Sequence, residues 1–216
     1  AEEARAKNAE LVVAYHPPMF APMKRVPHAA LWADAVRRGI ALYSPHTALD
    51  VAPGGTNDFL ADACGVVTGA KRRPLRAYAS KPGMTEPEGI GAGRVGDVAP
   101  TRLGDLVKTL KPALGLDYVL MAGSPDALIG RVAVAAGAGG ELMNDALRDR
   151  ADLFVTGEIR HHDALTALRR NMAVIATMHS NSERAAVKAY AARIAARLES
   201  LLVTTSDPDA DPFVVA

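Results

Sequence analysis

Three histidines stand where short apolar runs give out. His16 follows Leu11–Ala14, His46 follows Ile40–Tyr43, and His179 follows Ala173–Ala176. Imidazole is the commonest protein metal ligand. Two of these histidines have a carboxylate four positions later, Asp50 after His46 and Glu183 after His179. In a helical turn that spacing puts both side chains on one face, ~5–6 Å between Cβ atoms, so a pair can converge on one ion. Taken singly, each pair reads first as a capping or surface residue. Jointly, His16, Asp50, His179 and Glu183 make a mixed nitrogen–oxygen set suited to zinc, manganese or iron. Two carboxylates able to bridge allow one or two divalent ions, and paired metals are a device for making hydroxide and clamping a reacting centre.

A second polar cluster is Thr156-Gly157-Glu158 with His161-His162-Asp163, after the apolar run Leu153–Val155. Glu158 reads either as an orienting group or general base beside the metals, or as a carboxylate suited to a helix N-terminus. His162 reads as solvated. Gly91-Ala92-Gly93-Arg94-Val95-Gly96 matches G-x-G-x-x-G, but no clear strand precedes it and Pro100 interrupts the residues after it, so a dinucleotide fingerprint is rejected. Gly137-Ala138-Gly139-Gly140 lies between a strand and a helix, and reads as a tight turn before it reads as an anion cradle. Ser182 reads as the N-cap ahead of Glu183, and Cys64 as a buried small apolar residue. No Gly-x-Ser-x-Gly elbow is present. Lys71-Arg72-Arg73 reads as a solvated loop, and the same holds for Asp207, Asp209 and Asp211, which lack calcium-loop spacing.

The elements that must position these groups are given by the apolar pattern. Strands are expected at Leu11–Ala14, Ile40–Tyr43, Tyr118–Met121, Val132–Ala136, Leu153–Val155, Ala173–Ala176 and Leu201–Val203. Helices are expected at Ala29–Arg38, at a segment capped by Thr56 or Asn57 and reaching Cys64, and at Thr101–Leu110, Glu141–Arg148, Arg160–Arg169 and Ser182–Leu198. Short apolar strands alternating with helices predict a predominantly parallel α/β sheet covered on both faces. Ligands of such sheets bind beyond the carboxyl ends of the strands, where the three histidines fall. The Gly-, Pro- and Lys-rich stretch from Lys71 to Pro100 reads as an inter-domain connection. The expected division is therefore an N-terminal α/β domain over 1–75, a connecting region over 76–100 and a C-terminal α/β domain over 101–216.

Composition closes off other classes. The chain has 216 residues, 25 Lys+Arg against 24 Asp+Glu, 49% hydrophobic and 23% charged residues, which excludes disorder and collagen-like structure. The near-neutral balance argues against bulk nucleic-acid binding. No apolar run approaches the ~20 residues of a membrane helix, and no basic-then-apolar leader opens the sequence. One cysteine rules out an intrachain disulfide and any thiolate zinc cluster, so a metal must be held by histidine and carboxylate. Absence of disulfides suits a reducing, cytoplasmic setting.

Several blocks together resemble the NIF-three-like family, also known as GTP cyclohydrolase type-two homologues, in its eukaryotic-type branch. They are Tyr15-His16-Pro17-Pro18-Met19-Phe20 with Pro22-Met23-Lys24-Arg25, then Tyr43-Ser44-Pro45-His46-Thr47-Ala48-Leu49-Asp50 with Asn57-Asp58. Thr156-Gly157-Glu158 with His161-His162-Asp163, and His179-Ser180-Asn181-Ser182-Glu183-Arg184, complete them in family order. The resemblance implies two similar α/β domains with mixed, largely parallel sheets, and a dinuclear metal site in the cleft between them. It assigns metal ligation to His16, Asp50, His179 and Glu183, with His46, in the motif's histidine position, as a weaker candidate; in the hydrolase reading Glu158 is the proton carrier. Tyr15 stands where bacterial members carry a second histidine. The resemblance also implies a first helix and strand ahead of Ala1, and a homo-oligomer of toroidal hexamer kind. The expected activity is metal-dependent hydrolysis of a nucleotide or related small molecule, GTP ring opening being what the family name implies. The alternative is a non-catalytic metal-binding protein acting as a regulatory or transcription partner.

Overall fold

Residues 2–27, 29–69, 71–78 and 88–214 are described in the computed structural model of the chain. Two compact units emerge, Ala1–Leu49 with Ser206–Asp209, and Asp50–Thr205 with Ala210–Ala216. In the first, helix α1 (Glu2–Ala6) leads to strand β1 (Leu11–Val13), helix α2 (Leu31–Arg37) and strand β2 (Ala41–Tyr43). β1 and β2 pair in parallel, Leu11 opposite Ala41. α2 buries Ala33 and Ala35, and Ile40 is buried just ahead of β2. The turn between them passes through Gly39 at φ +77°, a left-handed position that glycine adopts without steric cost. The apolar run predicts a buried β2, yet Ala41 and Tyr43 are exposed. A two-stranded ladder covers only one side of each strand, so alternate residues face outward. Glu3 ties α1 to the returning chain, accepting from Lys7, Ser206 Oγ and the Asp207 amide.

Helix α3 (Thr47–Val51) leads into the second unit, which opens with α4 (Thr56–Ala63) and a short antiparallel ladder of β3 (Arg76–Ala77) and β4 (Gly91–Ala92). Then come β5 (Arg94–Arg102), α5 (Leu103–Leu114), β6 (Leu120–Ala122), β7 (Leu128–Ala135), α6 (Met143–Arg148), β8 (Leu153–Thr156), α7 (His161–Arg169), β9 (Ala173–Ala176) and α8 (Asn181–Arg197). The sheet runs β5-β7-β8-β9-β6. Its three central strands are parallel and both outer strands antiparallel. The fold is mixed α/β, as the sequence predicts.

Period-two alternation sorts the central strands between two cores. Val132, Val134, Leu153, Val155, Ala173 and Ile175 join the core built with Leu60, Leu103, Leu106 and Leu110. Ala133, Ala135, Phe154 and Val174 enter the other, with Met143, Ala146, Ala167 and Met172. Leu103, Leu106, Leu110 and Leu114 of α5 recur at three- and four-residue spacing, which places them on one buried face. α4 packs on both α8 and β7.

Four expectations are corrected. Residues 94–102, inside the stretch read as a connection, form β5, and Gly91-Ala92 form β4; residues 79–87 of that stretch lie outside the described residues. The glycines there serve close packing. A Cβ on Gly96 would meet Val66 Cγ1 at 2.7 Å, and one on Gly93 would meet the Val134 carbonyl oxygen at 2.7 Å. Leu201–Val203 is not a strand; Leu202 is almost fully exposed and the segment has no ladder partner among the described residues. Arg72 is not solvated. Its side chain is 7% exposed, pairing with Asp58 and Asp62 and donating to the Val66 carbonyl. Nor do Thr56, Asn57 and Ser182 cap helices through their side chains. The N-cap residues are Gly55 and Ser180, with no side-chain capping bond at either.

Candidate metal centre

β7, β8 and β9 run parallel and end at one edge of the sheet, delivering Gly137, Glu158 and His179 there. The Glu158 amide donates to the Gly137 carbonyl and the Thr177 amide to the Thr156 carbonyl, carrying the ladder past the strands. The chain then turns into α8 through Met178, whose φ of +72° is left-handed for a residue bearing a side chain. Backbone of that kind costs roughly 1–3 kcal/mol and persists only where neighbours dictate it. Here it swings His179 back toward the first turn of α8.

The result is a relay of three side chains. Glu158 Oε1 lies 2.8 Å from His179 Nδ1, and Glu183 Oε1 lies 3.4 Å from His179 Nε2. An ionised carboxylate can only accept, so Glu158 holds the proton on Nδ1 and turns the Nε2 lone pair toward Glu183. Glu183 is buried, its side chain 6% exposed, while Glu158 is open to solvent. Burial pushes the Glu183 carboxyl up to about 8, reinforced by the negative charges of Asp50 and Glu158 and opposed by Arg184. Three carboxylates in one neighbourhood are a site short of positive charge. Asp50 bears on this site through its charge.

Gly137 completes the arrangement. A Cβ there would stand 2.5 Å from Glu183 Oε1 and 3.2 Å from His179 Nε2. The glycine therefore keeps clear the volume that these two atoms border. Hydrogen-bond acceptors bordering a space too narrow for a side chain, with excess negative charge, fit a small divalent cation. Gly137 is not an anion cradle. Its amide is already engaged by Ser182 Oγ at 2.7 Å.

His16 and His46 lie in the first unit, close to one another. Their ring centroids are 5.4 Å apart, with Tyr15 5.0 Å from His16 and Phe20 6.0 Å from His46. The exits of β1 and β2 are tied by the Tyr15 carbonyl, which accepts from the His46 amide and from Ser44 Oγ. His46 stands just outside α3 at φ +40°, so it does not share a regular helical face with Asp50. His161 and His162 are exposed at the start of α7. Cys64 is buried and its thiol is pushed up to about 12 by desolvation, which fits an inert packing residue. Sequence reasoning missed Gly137 and Ser182 as parts of the site. A glycine two residues past the strand, and a serine three positions after His179, were the available signal.

The family profile for Duf34/NIF3 (NGG1p interacting factor 3) matches residues 1–212. The chain belongs to this family. NIF3-like protein 1 of Drosophila melanogaster is 36% identical over 99% of this chain and 72% of its own length. The NGG1-interacting factor 3 of Saccharomyces cerevisiae is 34% identical over the whole chain and 77% of its own. A Lactococcus lactis protein named GTP cyclohydrolase 1 type 2 homolog is 33% identical over 74% of this chain, which covers 60% of it. Among solved structures, a Bacillus cereus protein related to NIF3 superposes over the full chain with a TM-score of 0.80 at 20% identity, covering 85% of that chain. At that identity the likeness speaks for the fold shared within the family.

Proposed function

We propose that this protein is a divalent-metal hydrolase of the GTP cyclohydrolase type-two homologue kind, acting on a nucleotide or related small molecule. His179, Glu183 and Asp50 would hold the metal, with His16, and His46 beside it, contributed by the first unit. The observation that carries the reading is the Glu158–His179–Glu183 relay beside Gly137, which prepares an imidazole lone pair and a carboxylate toward one cleared volume. One or two ions of zinc, manganese or iron suit that donor set. Such an ion lowers the pKa of bound water toward ~7 and polarises the group under attack.

The remaining work falls to the chain's own residues. Glu158, exposed and hydrogen-bonded to His179 Nδ1, fixes the ligand ring and can take a proton at its outer oxygen. Buried Glu183 holds its proton up to about pH 8, and a bound cation would displace it at lower pH. The names of relatives motivate the substrate class, since the Lactococcus lactis protein is named GTP cyclohydrolase 1 type 2 homolog. A second reading, a regulatory metal-binding protein, is favoured by the name of the yeast relative, an NGG1-interacting factor.

Elemental analysis of purified protein, with a screen of nucleotides for consumption, tests the proposal. Wild type should carry metal and His179→Ala and Glu183→Ala should lose it, with turnover lost in parallel. Wild type that takes up no zinc, manganese or iron ends the metal reading. Fully metallated protein that leaves every nucleotide intact favours the regulatory one.

A further inference from the structure

Two buried side chains outside the ligand set share one hydrogen-bonding pattern. Asn57, in the first turn of α4, accepts from the Ala136 amide through Oδ1 at 2.9 Å and donates through Nδ2 to the Asp50 carbonyl at 3.0 Å. Ser182, in the first turn of α8, accepts from the Gly137 amide at 2.7 Å and donates to the His179 carbonyl at 2.6 Å. Both residues are buried, Asn57 at 4% and Ser182 at 0% exposure. Consecutive amides at the end of β7 are thus each linked, through one side chain, to the backbone of a different ligand-bearing segment.

We infer that Ala136 and Gly137 form a backbone template, and that Asn57 and Ser182 are positioning residues that fix Asp50 and His179 on it. The inference rests on the metal reading above. Backbone hydrogen bonds of this kind suit the purpose, because they set where a ligand's Cα stands without occupying the atoms that bind. The neighbouring space leaves little alternative. A Cβ on Gly157 would meet the Gly137 carbonyl oxygen at 2.5 Å, Ser182 Oγ at 2.9 Å and the His179 Cα at 3.0 Å. β7, β8 and the β9–α8 turn therefore meet at van der Waals contact around Ser182. A displaced template would carry the ligands with it. Groups supporting metal ligands at one remove change affinity by about 10–100-fold when lost.

Asn57→Asp separates positioning from charge. The new carboxylate can still accept from the Ala136 amide, but it faces the Asp50 carbonyl without a donor and repels it. Its added negative charge alone would strengthen cation binding, so position and charge predict opposite signs. Cobalt titration of the full chain, read by the visible absorption of bound Co(II) and by competition with a chelating dye, reports both affinity and ligand geometry. Thermal unfolding of the metal-free proteins runs alongside.

Asn57→Asp and Ser182→Ala should each weaken cobalt at least about tenfold and shift its absorption bands. Ile129→Val, a core change elsewhere in the sheet, should lower the unfolding temperature while leaving affinity and spectrum untouched. Should Ser182→Ala not fold, Ser182→Cys keeps the volume with a poor acceptor and takes its place. Cobalt bound by Asn57→Asp as tightly as by wild type, or more tightly, with the wild-type spectrum overturns the template. Wild type that binds no cobalt overturns the metal reading and the template together, a pattern distinct from intact binding in the variants.

Discussion

Glu183 combines a buried carboxylate with two acidic neighbours, and this sets the sign of its pH dependence. Its folded pKa of about 8 lies above the ordinary 4.5, so the metal-free fold binds this proton more tightly than the unfolded chain does. The stability it contributes is complete below about pH 4.5 and is lost as pH rises through about 8. A cation must displace the proton, so metal affinity should climb with pH up to about 8 and then level off. Metal added to weakly buffered protein near pH 7 should release close to one proton per ion from this residue. Uptake without proton release, or an affinity flat across that range, would refute the assignment. Gly137 carries a second prediction. Alanine there must hold φ +64° and place its methyl 2.5 Å from Glu183 Oε1, so Gly137→Ala should lose metal. The strain of ~1–2 kcal/mol should show as a lower unfolding temperature.

Among the elements, Arg94 at the start of β5 holds more of the second unit together than its place in a glycine-rich run suggests. It is 2% exposed and makes five donations, to Asp58, to the carbonyls of Gly91 and Gly93, and to those of Val51 and Ala52. Val51 and Ala52 come directly after Asp50, so the same guanidinium steadies a candidate ligand. Lysine keeps the charge but offers three donors in place of five. Arg94→Lys should therefore cost about 3 kcal/mol, read as a lower denaturant midpoint at unchanged slope. The positions of strands β7, β8 and β9 were legible because each is a short apolar run bounded by polar turns, and their ends located His179 and Glu158. β5 was not legible. Its Gly, Pro and Arg content imitates a loop, and what makes it a strand is close backbone approach at Gly93 and Gly96 and the buried Arg94, none of which leaves a periodic trace. The i to i+4 rule located Glu183 beside His179. It misled at His46, where a left-handed backbone sets the ring outside α3.

At the scale of the whole molecule, the proposed donors fall in two compact units, with His16 and His46 in one and Asp50, His179 and Glu183 in the other. If both supply ligands, the ion binds only the folded chain and couples their stabilities. Metal held at about 100 times its dissociation constant would then stabilise the fold by about 2.7 kcal/mol. For a chain of this length that is roughly 5–10 °C in unfolding temperature. A chelator should remove that increment from wild type, and His179→Ala should lack it from the outset. His16→Ala decides how far the site extends. If His16 is a ligand, the variant should lose most of the metal-dependent shift while its metal-free unfolding temperature stays near that of wild type. A full shift in His16→Ala would confine binding to the second unit, with His179, Glu183 and Asp50 as the whole of the donor set.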